Sequence, residues 1–355
     1  MDTKVWNVDK NVEKNPACAQ IVDAAHLLRE GEVVAFPTET VYGLGANALS
    51  DEAVEKIFIA KGRPSDNPLI VHIGDESQLP LIVREVPEKA RLIMQAFWPG
   101  PLTIILPKTE AVASKVTANL DTVGVRMPDH PIALALIKEA GVPIAAPSAN
   151  RSGRPSPTSA AHVWEDLKGK IAGIVDGGNT GVGVESTVLD VTVEPPMILR
   201  PGGVTREQLA EVVGEVQLDP AFLVTSEEKP RSPGMKYTHY APEGELWIVS
   251  GDDQAAYEQM ELMLDEAKKA GRKTGVLTVS EMVEHWEQVE VADVVLACGS
   301  QSDLSSMAQE LYATLRKFDE MHVQFMVAKA VSKDGLGLAI MNRLEKAAGH
   351  KIIKV

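Results

Sequence analysis

Residues 58–73, FIAKGRPSDNPLIVHI, decide the fold of the first part of the chain. Apolar residues at helical spacing lead into Lys61-Gly62-Arg63, and the apolar run PLIVHI follows after a short polar turn. Glycine commonly ends a helix because it adopts the left-handed conformation without steric cost. The stretch therefore predicts a helix, a turn and a buried strand.

Lys61 and Arg63 also suggest chemistry, because two cations separated by one glycine make a compact clamp for an anion. The glycine lets a phosphate approach the backbone. A second stretch, residues 141–157, GVPIAAPSANRSGRPSP, adds the hydroxyl of Ser148 and the amide of Asn150 on a loop that leaves a strand. Together these groups favour a nucleotide held without a standard phosphate loop. The alternative is that the two cations only complement the dipole at a helix C-terminus.

Composition limits the class of protein. The 355 residues, 45% hydrophobic and 24% charged, predict a globular chain of two domains. The net charge of -15 argues against general coating of nucleic acid and leaves room for a local basic patch. Cys18 and Cys298 lie far apart and have no metal-ligand spacing, which favours a reducing compartment. Without an apolar signal core or a long apolar run, we expect a cytoplasmic protein that does not bind a membrane.

Short apolar strands punctuated by Pro and Gly outnumber helices in the first part of the chain. This pattern favours a mixed, strongly twisted sheet with helices packed on it. Ser50 is placed to cap the helix that ends at Gly62. Further helices are predicted for residues 18–30, 87–97, 130–140 and 158–168.

The chain changes character at residues 216–243, which are rich in Pro, Gly, Ser and charged residues and show no steady periodicity. This composition predicts a linker, although its MKYTHYAP segment is more aromatic than a passive tether requires. We therefore predict a first domain at 1–215, a linker at 216–243 and a smaller Rossmann-like α/β domain at 244–355. The last predicted element is a helix at 336–348.

Three further features suggest a ligand site. Residues 36–48, FPTETVYGLGANA, predict a strand-to-helix connection that exposes Thr38, Glu39, Thr40 and Tyr42, either for a small polar ligand or as an ordinary polar loop. His72 lies in an apolar run, where a buried core histidine competes with a ligand-binding one.

Arg126 lies within the apolar strand TVGVRMP and needs an anionic partner, which a bound carboxylate could provide. Residues 177–187, GGNTGVGVEST, imitate a phosphate loop, but Val184 stands in place of its lysine. Neither a cysteine cluster nor an HExxH motif appears, so zinc bound by the protein is not expected.

Seven motifs together resemble, in order, those of the YrdC-like family in its long two-domain form. They are FPTETVYGLG, KGRPSDNPL, WPGPLTIIL, GVRMPDHP, PSANRSGRPSPT, ESTVLD and LRPGGV. The resemblance is close over about residues 15 to 240 and extends to the rest by architecture. It implies an enzyme that converts L-threonine, bicarbonate and ATP into threonylcarbamoyl-adenylate and pyrophosphate. Other proteins, the tRNA threonylcarbamoyl transferases, would then pass the threonylcarbamoyl group to an adenosine beside the anticodon.

The resemblance also implies roles for individual residues. Lys61 and Arg63 correspond to the catalytic pair that holds the ATP phosphates. The other implied ATP-binding residues are Asn67, Thr122, Ser148, Asn150, Ser156, Arg200 and His239. The implied threonine-binding residues are Thr40, His72, Arg126, Ala146 and Ser186. Magnesium would arrive with ATP and have no side-chain ligands, and whether tRNA binds directly stays open.

The implied reaction needs charge stabilisation on pyrophosphate and exclusion of water from a labile anhydride. Lys236, Tyr237, His239 and Tyr240 of the linker are therefore predicted to form a lid. Two rival functions predict no threonine-dependent release of pyrophosphate. One is an RNA-binding module, which the acidic charge weakens. The other is carbamoyl transfer through carbamoyl-adenylate, whose known enzymes carry zinc-finger and acylphosphatase-like regions that nothing here resembles.

Overall fold

A computed structural model describes residues 2–9, 18–220 and 239–355, and these fall into two units. The first unit holds most of the described residues up to 220. The second unit holds the described residues from 239 onward, together with Gly153–Pro155 and Val182–Val184. None of the helices in the described ranges has the length and apolar character needed to cross a membrane.

An 11-stranded mixed sheet forms the frame of the first unit, in the order β1-β8-β2-β3-β7-β4-β6-β5-β9-β10-β11. Parallel and antiparallel pairs alternate irregularly along it. The strands are β1 (Lys4–Asn7), β2 (Val34–Phe36), β3 (Gly43–Asn47), β4 (Ile70–His72), β5 (Leu102–Pro107), β6 (Thr122–Arg126), β7 (Ile144–Ala145), β8 (Gly173–Asp176), β9 (Thr187–Asp190), β10 (Met197–Arg200) and β11 (Gln217–Leu218).

Helices cover both faces of this sheet, because successive strand residues point to opposite sides. In β2, Val34 and Phe36 join one apolar cluster with α1 and α6, whereas Ala35 joins the other cluster with α2, α4 and α7. The helices are α1 (Ala19–Arg29), α2 (Asp51–Lys61), α3 (Leu79–Ile82), α4 (Glu88–Phe97), α5 (Ser114–Thr117), α6 (Pro131–Ala140), α7 (Ala160–Leu167) and α8 (Arg206–Val213).

Helix α2 shows how closely local sequence signals fix one element. The Ser50 hydroxyl accepts a hydrogen bond from the Ala53 amide and caps the N-terminus, as predicted. Gly62 ends the helix in the left-handed conformation, with φ of 62°. Its amide donates to the carbonyl of Ile59, and that of Arg63 donates to the carbonyl of Phe58. Because Ser50 caps the helix and Gly62 ends it, Lys61 is the last helical residue.

Residues 36–48 differ from the prediction. The segment does not pass directly from strand to helix, because Gly43–Asn47 form β3, antiparallel to β2. The polar residues between the two strands are not exposed: Thr38 and Thr40 are buried, and so is Tyr42. Gly45 makes this pairing possible, since a Cβ atom there would lie 2.8 Å from both Phe36 and Ile144.

The second unit is a parallel five-stranded sheet in the order β14-β13-β15-β12-β16, with two helices on each face. Helices α9 and α10 share one apolar cluster with Val249, Val276 and Val327. Gly275, whose Cβ would meet Phe318 of α11, points to the opposite face. The elements are β12 (Glu245–Ser250), α9 (Asp253–Lys269), β13 (Thr274–Thr278), α10 (Val283–Val289), β14 (Val294–Ala297), α11 (Leu304–Glu320), β15 (Phe325–Lys329), α12 (Leu336–Ala347) and β16 (Ile352–Lys354).

The predicted fold class is confirmed: a twisted mixed-sheet unit is followed by a smaller Rossmann-like α/β unit. The chain does not end with the predicted helix, because β16 follows α12 and pairs with β12. Strand β11 lies inside the predicted linker and pairs with β10. Residues 221–238 of that linker, including Lys236 and Tyr237, lie outside the described residues. The domain boundaries at 215 and 244 stay predictions.

Candidate functional site

Lys61 and the loop Ser148–Asn150, far apart in sequence, meet directly. The buried Lys61 ammonium donates to the carbonyl of Ser148 and, at 2.7 Å, to the carbonyl of Asn150. A third bond of 3.2 Å reaches Asn150 Oδ1, which also accepts from the Ser148 hydroxyl at 2.6 Å. The predicted cationic clamp and the predicted polar loop therefore form one hydrogen-bonded unit.

The β2–β3 hairpin holds this loop in place. The Ala149 amide donates to the Tyr42 carbonyl at 2.8 Å, and Ser148 forms an isolated bridge with Gly43. The Tyr42 hydroxyl donates to the Gly178 carbonyl at 2.7 Å, and burial raises the pKa of that hydroxyl well above its usual value. The tyrosine is therefore a neutral anchor that joins the hairpin to a glycine-rich turn.

Arg63 and Asn67 lie at the two ends of the turn that leads into β4. Arg63 Nη2 donates to the carbonyls of Asn67 and Pro68, at 3.1 and 3.3 Å. The Asn67 side chain is fully buried, and neither its Oδ1 nor its Nδ2 has a hydrogen-bond partner within the described ranges. Buried amides are normally satisfied, so Asn67 indicates a position for water or ligand.

His72 and Arg126 are directly opposite each other on the parallel strands β4 and β6. Both are buried, and the shared register places them on one face of the sheet. Arg126 Nη2 lies 2.6 Å from Glu39 Oε2, and its Nε donates to the Gly100 carbonyl at 3.3 Å. The anionic partner that the sequence required for Arg126 is thus Glu39, which lies in the polar segment 36–48 and had no predicted role.

Burial, reinforced by the positive charges of Arg126 and Arg200, lowers the pKa of His72 to about 3. The imidazole is therefore neutral at physiological pH. Its Nδ1 is buried and has no hydrogen-bond partner in the part of the chain that the structure describes. A neutral imidazole with an unused nitrogen suits a hydrogen bond to a ligand better than ion pairing.

Ser186, which precedes β9, and Arg200, the last residue of β10, form a second buried group. The Ser186 hydroxyl lies 2.8 Å from the Thr103 hydroxyl and accepts from Arg200 Nη2 at 3.1 Å. Arg200 also donates to the Ser186 carbonyl through Nε and Nη2. The charge of Arg200 also contributes to the lowered pKa of His72, so Ser186 and Arg200 lie within electrostatic reach of His72 and Arg126.

The remaining predicted residues are distributed around these groups. The Thr40 hydroxyl lies 2.9 Å from that of Thr38, and the Ala146 amide already donates to the Ile70 carbonyl. Ser156 donates to Glu185 at 2.6 Å, next to Ser186 in sequence.

Two further predicted residues are Thr122 and His239. Thr122 begins β6, so it lies at the opposite end of that strand from Arg126, roughly 13 Å away along the backbone. His239 belongs to the second unit, where its ring lies 5.6 Å from that of Tyr240. Its place in the site stays a prediction.

Three partners of the predicted residues were not recognised from the sequence. Glu39 contacts Arg126, Thr103 contacts Ser186, and Glu185 accepts from Ser156. Thr103 had a usable signal, because it is a hydroxyl within the buried apolar strand LTIILP. The two glutamates had none, since a carboxylate in a polar loop is ordinarily solvated.

No group of three or more His, Cys, Asp or Glu side chains within residues 2–9, 18–220 and 239–355 is arranged to hold a metal ion. The site is instead rich in cations and hydroxyls, a combination that suits phosphate and carboxylate groups.

Comparison with known proteins extends over the whole chain. One family model, described as "Telomere recombination" and named for Sua5, YciO and YrdC, matches residues 26–202. A second, described as "Threonylcarbamoyl-AMP synthase, C-terminal domain", matches residues 204–349.

Individual relatives agree with both models. The chain is 56% identical over 355 residues to the threonylcarbamoyl-AMP synthase of Bacillus subtilis, covering 100% of each chain. It is 48% identical to that of Pyrococcus abyssi, covering 99% of this chain and 100% of that one. The crystal structure of P. abyssi Sua5 complexed with L-threonine superposes with a TM-score of 0.92, covering 99% of this chain and 100% of the other. The resemblance to the YrdC-like family is confirmed, and the chain belongs to the threonylcarbamoyl-AMP synthase family of adenylate-forming enzymes.

Proposed function

We propose that this chain forms threonylcarbamoyl-AMP and pyrophosphate from L-threonine, bicarbonate and ATP. Bicarbonate takes up a proton and loses water to give carbon dioxide. The neutral threonine amine adds to that carbon and releases a proton, which gives a carbamate, and a carbamate oxygen then attacks the α-phosphorus of ATP. The bond between the α-phosphorus and the bridging oxygen breaks, and pyrophosphate leaves with the electron pair. No side chain needs to act as a covalent nucleophile, so catalysis rests on positioning and charge stabilisation.

One arrangement carries the proposal: His72 lies directly opposite Arg126 on β4 and β6, and the positive charge of Arg200, which binds Ser186, also contributes to the lowered pKa of His72. Family resemblance assigns Arg126 to threonine and Arg200 to the nucleotide. A reaction between the threonine carbamate and the α-phosphorus requires these two half-sites to adjoin, and the arrangement of the three buried residues supports that proposal.

On the nucleotide side, Lys61 and Arg63 are the proposed catalytic residues, because both bring positive charge to the pyrophosphate. Lys61 makes three bonds to the loop Ser148–Asn150, so it acts by its charge and by fixing that loop. Ser148 and Asn150 then present their polar groups to phosphate oxygens. Magnesium, carried by the ATP phosphates, would neutralise further negative charge.

On the threonine side, Arg126 is proposed to bind the substrate carboxylate. Its Nη2 lies against Glu39, and its Nε donates to the Gly100 carbonyl. A guanidinium has five N–H groups, so the substrate carboxylate is proposed to accept from those of Nη1 while the ion pair with Glu39 persists. His72 Nδ1 and the hydroxyls of Thr40 and Ser186 would complete the contacts to threonine.

Lys236, Tyr237, His239 and Tyr240 are proposed to shield the labile product from water, a role that explains their aromatic composition. We further propose that the product passes to tRNA threonylcarbamoyl transferase proteins in the cytoplasm. The two cysteines, both free thiols, are compatible with that compartment.

The decisive experiment measures pyrophosphate release from ATP by the full chain, with and without L-threonine and bicarbonate. We expect release only when both are present, and formation of threonylcarbamoyl-AMP in equal amount by mass spectrometry. L-Valine, which has the shape of threonine without its hydroxyl, is the matched control substrate. Release that is independent of threonine in correctly folded protein would overturn the proposal.

A further inference from the structure

The second unit contains a cavity of about 260 Å³ at the carboxyl end of its parallel sheet. Two neighbouring strands line it at their carboxyl ends: Thr278 ends β13 and Val279 follows, and Lys329 ends β15 and Ala330 follows. Met307 of α11 forms part of its wall.

The position of this cavity follows from the chain path. After β13 the chain continues into α10, which packs on the same face as α9. After β15 it continues into α12, which packs beside α11 on the opposite face. Adjacent parallel strands whose connections leave to opposite faces open a crevice at their carboxyl ends, and open α/β sheets bind ligands there.

The chemistry of the lining is mostly apolar with one cation. Leu277, Val279 and Leu344 contribute apolar surface, and Tyr257 contributes an aromatic ring. The Lys329 ammonium lies 5.5 Å from the centre of the Tyr257 ring, and the lysine side chain is only 23% exposed. This arrangement suits a ligand with an apolar body and one negative charge.

Asp253 is the ion-pair partner of Lys329, and its side chain is 66% exposed. Exposed partners of this kind contribute little to stability and can be exchanged. An anion that enters the cavity can therefore replace or supplement Asp253 without leaving a buried carboxylate unpaired.

The volume sets the size of the ligand. An engineered apolar cavity of about 150 Å³ accommodates a single benzene ring. The cavity of about 260 Å³ therefore has room for a bicyclic body with a small substituent.

We propose that this cavity is a binding site for a small aromatic anion, with a bicyclic body against the apolar wall and a carboxylate or phosphate on Lys329. It is separate in sequence from the proposed catalytic residues of the first unit. The proposal concerns binding alone and includes no chemical step.

The test measures binding of indole-3-acetate to the full chain by isothermal titration calorimetry, with millimolar L-threonine present to occupy the proposed threonine site. Indole-3-acetamide is the neutral counterpart of the same shape. We expect saturable binding of the acetate at millimolar or lower concentration, and at least about tenfold weaker binding of the acetamide. Failure of the acetate to bind the folded wild-type protein overturns the proposal.

Three lysine variants locate the binding. K329M should weaken acetate binding about tenfold and leave acetamide binding unchanged, because it removes the charge and keeps the apolar stem. K333M is the matched control: Lys333 is close in sequence, does not line the cavity, and pairs with Glu345. Equal losses in both variants overturn the proposal. K329R should retain acetate binding, which separates loss of charge from a general disturbance of the fold.

Discussion

Lys61 in the first unit and Lys329 in the second differ in what surrounds their ammonium groups. Lys61 is 3% exposed, and its ammonium donates to three oxygen atoms of one loop. Lys329 retains 23% exposure and pairs with a largely exposed aspartate. A lysine bound by backbone oxygens holds one fixed position, whereas a lysine with an exposed carboxylate partner can exchange that partner for a ligand. The site in the first unit therefore has a fixed geometry, and the cavity of the second unit can adapt to its ligand.

The largest effect on activity should come from replacing Lys61. K61M removes the positive charge and the donor shared by the carbonyls of Ser148 and Asn150, and we expect kcat/KM for ATP to fall by about 1,000-fold, equivalent to about 4 kcal/mol. Threonine binding, measured by calorimetry, should largely survive, because Lys61 contacts the proposed phosphate loop.

K333M, which replaces a half-exposed lysine of the second unit, is the matched control and should retain full pyrophosphate release. If K61M loses threonine binding while keeping ATP binding, Lys61 has been assigned to the wrong substrate. Circular dichroism at the assay temperature would separate this result from unfolding.

A smaller effect is expected from Arg126, whose buried ion pair with Glu39 is also built in. R126M should raise KM for threonine roughly 10- to 100-fold, because a charged hydrogen bond to the substrate carboxylate is lost. KM for ATP should change far less. R84M, at an exposed arginine of the same unit, is the control. Equal changes in KM for threonine and KM for ATP would mean that Arg126 supports the fold of the whole site and does not bind threonine.

The third prediction concerns stability as a function of pH and not catalysis. The pKa of His72 is about 3 in the folded protein, against about 6.5 when unfolded. Below pH 6.5 the unfolded chain binds a proton that the folded chain does not, so the free energy of unfolding falls as pH decreases from about 6.5 towards 3.

This contribution amounts to about 1.4 kcal/mol per pH unit. Urea unfolding at pH 7 and pH 5 should therefore show about 2 kcal/mol less acid destabilisation in H72N than in the wild type. H26N, at an exposed histidine of α1, controls for the general loss of an imidazole. Identical pH dependence in H72N and the wild type would mean that His72 is not held neutral by its surroundings.

Local signals in the sequence were sufficient for much of the fold. Ser50 and Gly62 fix the ends of α2, and the apolar face of α1 contains the four residues that are buried, Ile21, Ala24, Ala25 and Leu28. Strand β1 was not predicted, because its four residues gain their structure by pairing with β8, far along the chain. Strand β16, with three residues, is shorter still and depends on pairing with β12.

The candidate site likewise contains features that local sequence signals predict and features that depend on long-range contacts. Lys61, Arg126 and Ser148 were recognisable because a charge or hydroxyl at the end of an apolar run needs an explanation. The pairing of Arg126 with Glu39 was not, since it depends on the strand order that brings the turn between β2 and β3 near the end of β6. Sequence identifies residues that need partners, and only the fold supplies those partners.

The bonds of Lys61 also bear on chemical selectivity. A lysine amine reacts with carbon dioxide through its nitrogen lone pair, in competition with any amine substrate. The three oxygens that accept from Lys61 favour its ammonium form, because only that form has three N–H groups to donate, and an ammonium nitrogen has no lone pair. The cation closest to the proposed phosphate loop is thereby a poor nucleophile, and carbamate formation is left to the substrate amine.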